Sequence, residues 1–178
     1  MISHAPPGYD CPFCALIAGS ETQRNSESDV VLRDAETTAF VSPKWWAGNP
    51  GHVIVVPNQH HEHLYEIPDG VLAAVYRTVA KVARAMRASY RCEGVSTRQH
   101  NEPGAGQDVW HLHVHVFPRN AGDDLYLRDL EVRWISADER EPYAARLRAA
   151  LADYPSALDR DHHGREGSRR TDPRGGRA

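Results

Sequence analysis

Apolar residues change their spacing along this chain in a way that separates strands from helices. Asp29–Arg33 and Thr37–Ser42 read as paired strands, and Gly51–Val56 as an apolar strand bounded by glycine and proline. Between Asp69 and Arg91 the spacing turns helical, with Val71, Val75, Val79, Val82 and Met86 recurring at three- and four-residue steps. Asp69 is placed to cap this long helix, and Gly94 follows its end. Val95–His100 and His111–Pro118 predict two antiparallel strands joined by a glycine-containing loop. Glu131–Ile135 adds a short strand, and Ala137–Ala152 a second helix in which Pro142 is tolerable only near the start. Pro12–Ile17 is long enough for a helical turn or two. The expected architecture is α+β: an antiparallel sheet of about five strands, one long helix packed on it, and a C-terminal helix. From Pro155 onward the chain is rich in Arg, Gly, Asp and Ser and almost free of apolar residues. Residues 1–154 are therefore expected to form one domain, and 155–178 a charged, disordered tail with His162 and His163 solvated.

Composition narrows the class. A chain of 178 residues suffices for one domain with a substantial core plus a tail. A formal net charge of −3 argues against a general nucleic-acid or anionic-membrane surface. No apolar run approaches the length of a membrane span, and the first nineteen residues do not read as a secretory signal, so a cytoplasmic location is expected. Three cysteines form no disulfide framework. Cys11 and Cys14, at C-x-x-C spacing, read as a metal half-site or a redox pair. The redox reading is the weaker, because no thioredoxin-like βαβ pattern surrounds them. Cys92, at a helix end, reads as a packed free thiol.

The chemistry concentrates in His111-Leu112-His113-Val114-His115-Val116-Phe117. On a strand, alternate side chains share a face, so three imidazoles point one way and Leu112, Val114 and Val116 point into a core. Valine or isoleucine would pack better and cost less to desolvate, so the face reads as one built for chemistry. Metal ligation and nucleophilic catalysis with proton-handling partners both fit three such rings; an incidental polar strand fits less well. Just before them runs Asn101-Glu102-Pro103-Gly104-Ala105-Gly106-Gln107-Asp108. A loop of this kind exposes backbone N–H groups that suit a phosphate, with Gln107 and Asn101 able to add neutral hydrogen bonds; it also suits a plain hairpin turn. Trp45 and Trp46 fall in an expected loop, one of them available to stack on a base or close a pocket. Trp110, by alternation, points away from the histidines. Glu62, Glu66 and Asp69 read as a solvated acidic face at the start of the long helix.

Asn101, Gly104-Ala105-Gly106-Gln107 and His111-x-His113-x-His115-Val116-Phe117-Pro118-Arg119 resemble the signature of the histidine-triad superfamily, nucleotide hydrolases and transferases. Cys11-Pro12-Phe13-Cys14, Gly51-His52-Val53-Ile54-Val55-Val56-Pro57 and His60 follow the same family order. The loop between Asn101 and Gln107 is one residue shorter than usual, and Ser42 stands where many members carry the Asp or Asn that holds the ribose. The resemblance implies an α+β fold and a homodimer built on the long helix and its neighbouring strand. It implies His113 as nucleophile at the α-phosphorus of a purine nucleotide, through a nucleotidyl-histidine that water hydrolyses. His115 then contacts the phosphate or leaving group, His111 completes the triad, and His52 orients the nucleophile from behind. Gln107 and Gly106 contact phosphate oxygens, Ser42 the sugar, and Arg119 a further phosphate oxygen. Phosphoramidates and diadenosine polyphosphates are the implied substrates. A nucleotidylyltransferase or phosphorylase, a nucleotide-binding protein with weak catalysis, and a metallohydrolase using the triad as ligands are the alternatives. The intact His115 favours hydrolysis, because the transferase branch tends to carry glutamine there. Some bacterial-type members hold zinc with the residues matching Cys11, Cys14, His60 and His111. Two thiolates and two imidazoles make the closed tetrahedral set of a structural zinc. His61 and His63 crowd the same segment and otherwise read as helix-start surface residues.

Overall fold

The computed structural model describes residues 3–125, 127 and 132–153. The expected 154/155 boundary and the charged tail lie outside the described residues. In chain order the elements are α1 (Pro12–Ile17), β1 (Val30–Arg33), β2 (Thr37–Val41), β3 (Lys44–Trp46), β4 (Val53–Pro57), α2 (Asp69–Tyr90), β5 (Gly94–Gln99), β6 (Val114–Arg119), β7 (Val132–Trp134) and α3 (Ala137–Ala152). Five strands form an antiparallel sheet in the order β1-β2-β4-β6-β5, and β3 pairs with β7 in a second, two-stranded sheet. The architecture is the expected α+β sheet with a long helix and a C-terminal helix.

Every residue of β4 is buried, as a strand covered on both faces requires. On one face Val53, Val55, Val114 and Val116 pack against Val75, Val79, Val82 and Met86 of α2 and Ala144 and Leu147 of α3. On the other, Phe40, Ile54 and Val56 pack against Phe13 and Leu16 of α1. His115 stands opposite Ile54 in register, so the second face carries it. Helix α1 covers that face only in part, which leaves a cavity over the sheet.

Several sequence expectations shift in detail. The histidine strand is shorter than its alternation suggests: the β4–β6 ladder ends at Val55 and Val114, and His111–His113 precede β6 outside it, with a bend at His111. Pro57 closes β4, and the Leu112 N–H donates to the His61 carbonyl instead. The N-cap of α2 is Pro68, and Asp69 opens the helix without a capping side-chain bond. Arg91, with φ of 58°, takes the left-handed C-cap position, while Gly94 begins β5. Trp45 and Trp46 lie on β3 rather than in a loop. Glu62 is not solvated, since it accepts from Ser3 Oγ and the His4 N–H, and His63 is buried. Pro142 sits inside α3, past its first turn, in a helix begun by the capping box of Ser136 and Glu139. No described helix is long and apolar enough to cross a membrane.

Candidate active site and metal centre

Backbone carbonyls fix the tautomers of the histidines. His113 Nδ1 lies 2.7 Å from the His111 carbonyl oxygen. A carbonyl only accepts, so Nδ1 carries the proton and Nε2 keeps its lone pair. His52 Nδ1 lies 3.2 Å from the Lys44 carbonyl and donates there, leaving Nε2 as acceptor. That atom is 2.8 Å from His115 Nδ1, which must therefore donate, so His115 Nε2 is also a lone pair. His113 and His115 meet edge to face at 4.9 Å between centroids, and the Phe13 ring stands 5.4 Å from His113. Burial holds all of these rings neutral. It pushes His52 down to about 3, with Arg98, His113 and Lys44 adding to the shift against the Lys44 carbonyl. Burial likewise lowers His113, and lowers His115 well below its ordinary value, where His113, His52 and Arg98 reinforce it. Neutral imidazole with a free Nε2 is a competent nucleophile and proton acceptor.

These rings border a cavity of about 220 Å³ whose wall also holds Phe13, Ile54, Trp46, Ser42 and Gly106. Gly106 has φ of 87°, and a Cβ there would meet His100 Nδ1 at 3.1 Å, so a side chain is disfavoured twice. Ser42 is buried at the wall, but its hydroxyl is engaged by the Lys44 backbone, donating to the carbonyl and accepting from the N–H. Three expected substrate contacts lie elsewhere. Gln107 turns inward as a loop staple, its Nε2 donating to the Glu62 and Val109 carbonyls and its Oε1 accepting from the Glu102 N–H. Asn101 Oδ1 accepts from the Leu64 N–H and from Gln99 Nε2. Arg119 forms a fork with Asp123 at 2.7 Å and reaches Ser96, away from the cavity. The Glu102, Ala105, Gly106 and Gln107 amides donate within the loop itself.

Sequence reasoning missed Lys44, Arg98, His100 and Asp108, all on the cavity wall. Strand β5 is polar at Ser96, Thr97, Arg98 and Gln99, so no alternation marks which side chains face the histidines. The register supplies the answer: Arg98 stands opposite His115. Of the tryptophan pair, Trp46 lines the cavity, whereas Trp45 packs on Tyr143 at 5.0 Å in the core under the helices.

A second centre adjoins the first. Cys11, Cys14, His60 and His111 each present a ligand atom, all within 4.8 Å of one another. His111 Nδ1 is 3.4 and 3.5 Å from the two sulfurs, and His60 Nδ1 is 3.3 Å from Cys14. Metal–ligand bonds of about 2.0–2.3 Å at tetrahedral angles give edges of roughly 3.3–3.8 Å, so this donor set fits zinc. His111 Nε2 lies 2.9 Å from the Pro57 carbonyl and donates there, which aims Nδ1 at the sulfurs. Burial pushes the Cys14 thiol up to about 12, with the Cys11 sulfur adding to it; a cation between the sulfurs opposes both effects. His61 and His63 do not join this cluster. Cys92 is a buried free thiol against the Met86 carbonyl.

Residues 23–122 match the HIT domain family. Protein hit of Bacillus subtilis is 34% identical over 115 residues, spanning 65% of this chain and 74% of that one. Adenosine 5'-monophosphoramidase HNT1 of Candida albicans is 29% identical over 123 residues, spanning 67% of this chain and 74% of its own. The crystal structure of a Zn-bound histidine triad family protein from Mycobacterium smegmatis superposes with a TM-score of 0.67 at 28% identity. It spans 80% of this chain and 94% of the other.

Proposed function

The chain belongs to the HIT domain family, and from that premise we propose that it is a hydrolase that releases a purine nucleoside monophosphate by nucleophilic attack of His113 at an α-phosphorus. One observation carries the reading. The His111 carbonyl fixes the Nδ1 proton of His113 and leaves Nε2 free, with His115 Nε2 beside it as a second lone pair. His113 Nε2 forms a bond to phosphorus as the leaving group departs, giving a nucleotidyl-histidine. Water then attacks the same phosphorus, giving its proton to His115 Nε2, and the P–N bond breaks with its electron pair returning to His113. His52, held by the Lys44 carbonyl, keeps the His115 tautomer that this step needs. Phosphoramidates and diadenosine polyphosphates are the substrates to test. AMP release without added phosphate is the expected result. Dependence on phosphate, with ADP as product, marks a phosphorylase, and nucleotide binding without turnover marks a binding protein.

Zinc is the metal for Cys11, Cys14, His60 and His111, where it neutralises two thiolates and ties α1 to the segment before β6. Metal analysis of the purified protein should give one zinc per chain, lost in Cys14→Ser. At free zinc about a thousandfold above Kd, binding contributes roughly 4 kcal/mol. Chelation should then lower Tm by on the order of 10 °C. An unchanged Tm on chelation would remove the structural role. The edge strand β5 and the outer face of α2, where Tyr76 is exposed, supply the surface for a homodimer.

A further inference from the structure

The cavity beside His113 carries more positive charge than attack at one phosphorus requires. Lys44, Arg24 and Arg98 line it, against a single carboxylate, Asp108. Lys44 Nζ is 3.6 Å from Asp108 Oδ2, and the Arg24 guanidinium lies 3.4 Å from the Trp134 ring centroid. Arg98 differs from both. Its guanidinium rests 5.1 Å from the Trp46 ring and 5.5 Å from Phe117, and its Nε is buried with no hydrogen-bond partner among the described residues. Burying a cationic donor without an acceptor is costly, and the cost is recovered when a ligand brings the acceptor. Across the β5–β6 ladder Arg98 stands opposite His115, so that acceptor belongs next to the triad.

The direction of the hydrogen bonds supplies a second constraint. His52 donates to the Lys44 carbonyl and His115 donates to His52, so His115 offers the cavity a lone pair and no proton. An amine must gain a proton as it leaves phosphorus. A phosphate or sulfate oxygen leaves as an anion and needs none. In the first step neutral His115 has no proton to give a departing amine, whereas a guanidinium beside the triad stabilises a departing oxyanion.

Resting on the hydrolase reading above, we propose that Arg98 binds the leaving group, so that the site selects nucleotides whose α-phosphate is joined through oxygen to a second acid, phosphate or sulfate, over those joined to an amine. In the first step His113 Nε2 bonds to phosphorus and the P–O bond to the leaving group breaks. Its electron pair stays on the leaving oxygen as charge beside Arg98. Water completes the cycle as described, one of its protons passing to His115 and from there to solvent, and the other remaining on the product monophosphate.

The test compares kcat/KM for diadenosine triphosphate, adenosine 5′-phosphosulfate and adenosine 5′-phosphoramidate in the wild-type protein, Arg98→Gln and Arg98→Lys. Wild type should prefer an anhydride. Arg98→Gln should lower that anhydride by about tenfold or more, the scale of one charge-assisted hydrogen bond, and the phosphoramidate by less than about threefold. Arg98→Lys should fall between. Whichever anhydride loses more identifies the second acid. Ratios between substrates on one preparation cancel any misfolded fraction. Equal losses on all three, or a wild-type preference for the phosphoramidate, would overturn the proposal and leave the hydrolase reading standing. Release of AMP from none of them by wild type would remove both.

Discussion

His113→Ala should abolish turnover, lowering kcat by roughly 10⁴–10⁶, the range seen when the nucleophile of a hydrolase is deleted. The size follows from the geometry. His113 Nε2 has no protein partner among the described residues, its tautomer is fixed by the His111 carbonyl, and the ring is buried beside His115, whereas His100, whose Nδ1 meets the Ala105 carbonyl, is only half-buried on the loop side of the cavity. His115 also has a free Nε2, but its Nδ1 proton is held by another imidazole rather than by the backbone. The substitution opens space beside Phe13 without leaving a buried charge, because His113 is neutral when buried. The fold should therefore survive, and nucleotide affinity should stay within an order of magnitude. Quenching wild type with α-labelled substrate in alkaline denaturant should trap label on the protein through a P–N bond, which is base-stable and is released by later acid treatment; the variant should trap none. Turnover in His113→Ala within tenfold of wild type would remove covalent catalysis at this residue.

What the sequence exposes and what it conceals divide along physical lines. The alternation of Leu112, Val114 and Val116 against three histidines reads directly, because a buried face admits no slip of register. The span of α3, Ala137–Ala152, also reads from the sequence, and the structure adds the capping box of Ser136 and Glu139 that starts it. C-x-x-C spacing signals a half-site, yet the fold must bring His60 and His111 to it from far along the chain. Contacts that span the chain leave no local mark. The β3–β7 ribbon was hidden because Lys44–Trp46 is short and its partner distant. Gln107 stands at a position whose side chain the loop itself consumes, and Arg98 lies on a strand too uniformly polar to reveal its inner face. Local patterning thus identifies the nucleophile segment, whereas the charged wall that faces it depends on register.

The largest stability effect should come from Arg140→Met. Arg140 Nε and Nη2 grip the two oxygens of Asp29 at 2.6 and 2.9 Å, with side-chain exposures of 5% and 1%. Asp29 Oδ2 also accepts from Asn25 Nδ2 and the Ser26 N–H, each at 3.0 Å, and Arg140 reaches the Arg24 and Ile135 carbonyls. Removing the guanidinium strands a buried carboxylate, which costs about 3–5 kcal/mol and lowers Tm by roughly 10 °C or more. Replacing both partners behaves differently, because no charge is left unpaired: Asp29→Leu combined with Arg140→Met should regain most of that stability. Activity should not return with it. The pair pins the loop that carries Arg24 and Asn25 onto α3, and those two residues border the triad cavity. Apolar packing restores the burial but not the hydrogen bonds that place that loop. Denaturant melts and kcat/KM measured on wild type, both single variants and the double variant separate the two roles. Recovery of stability together with full activity would mean that the pair holds α3 alone and has no part in shaping the site.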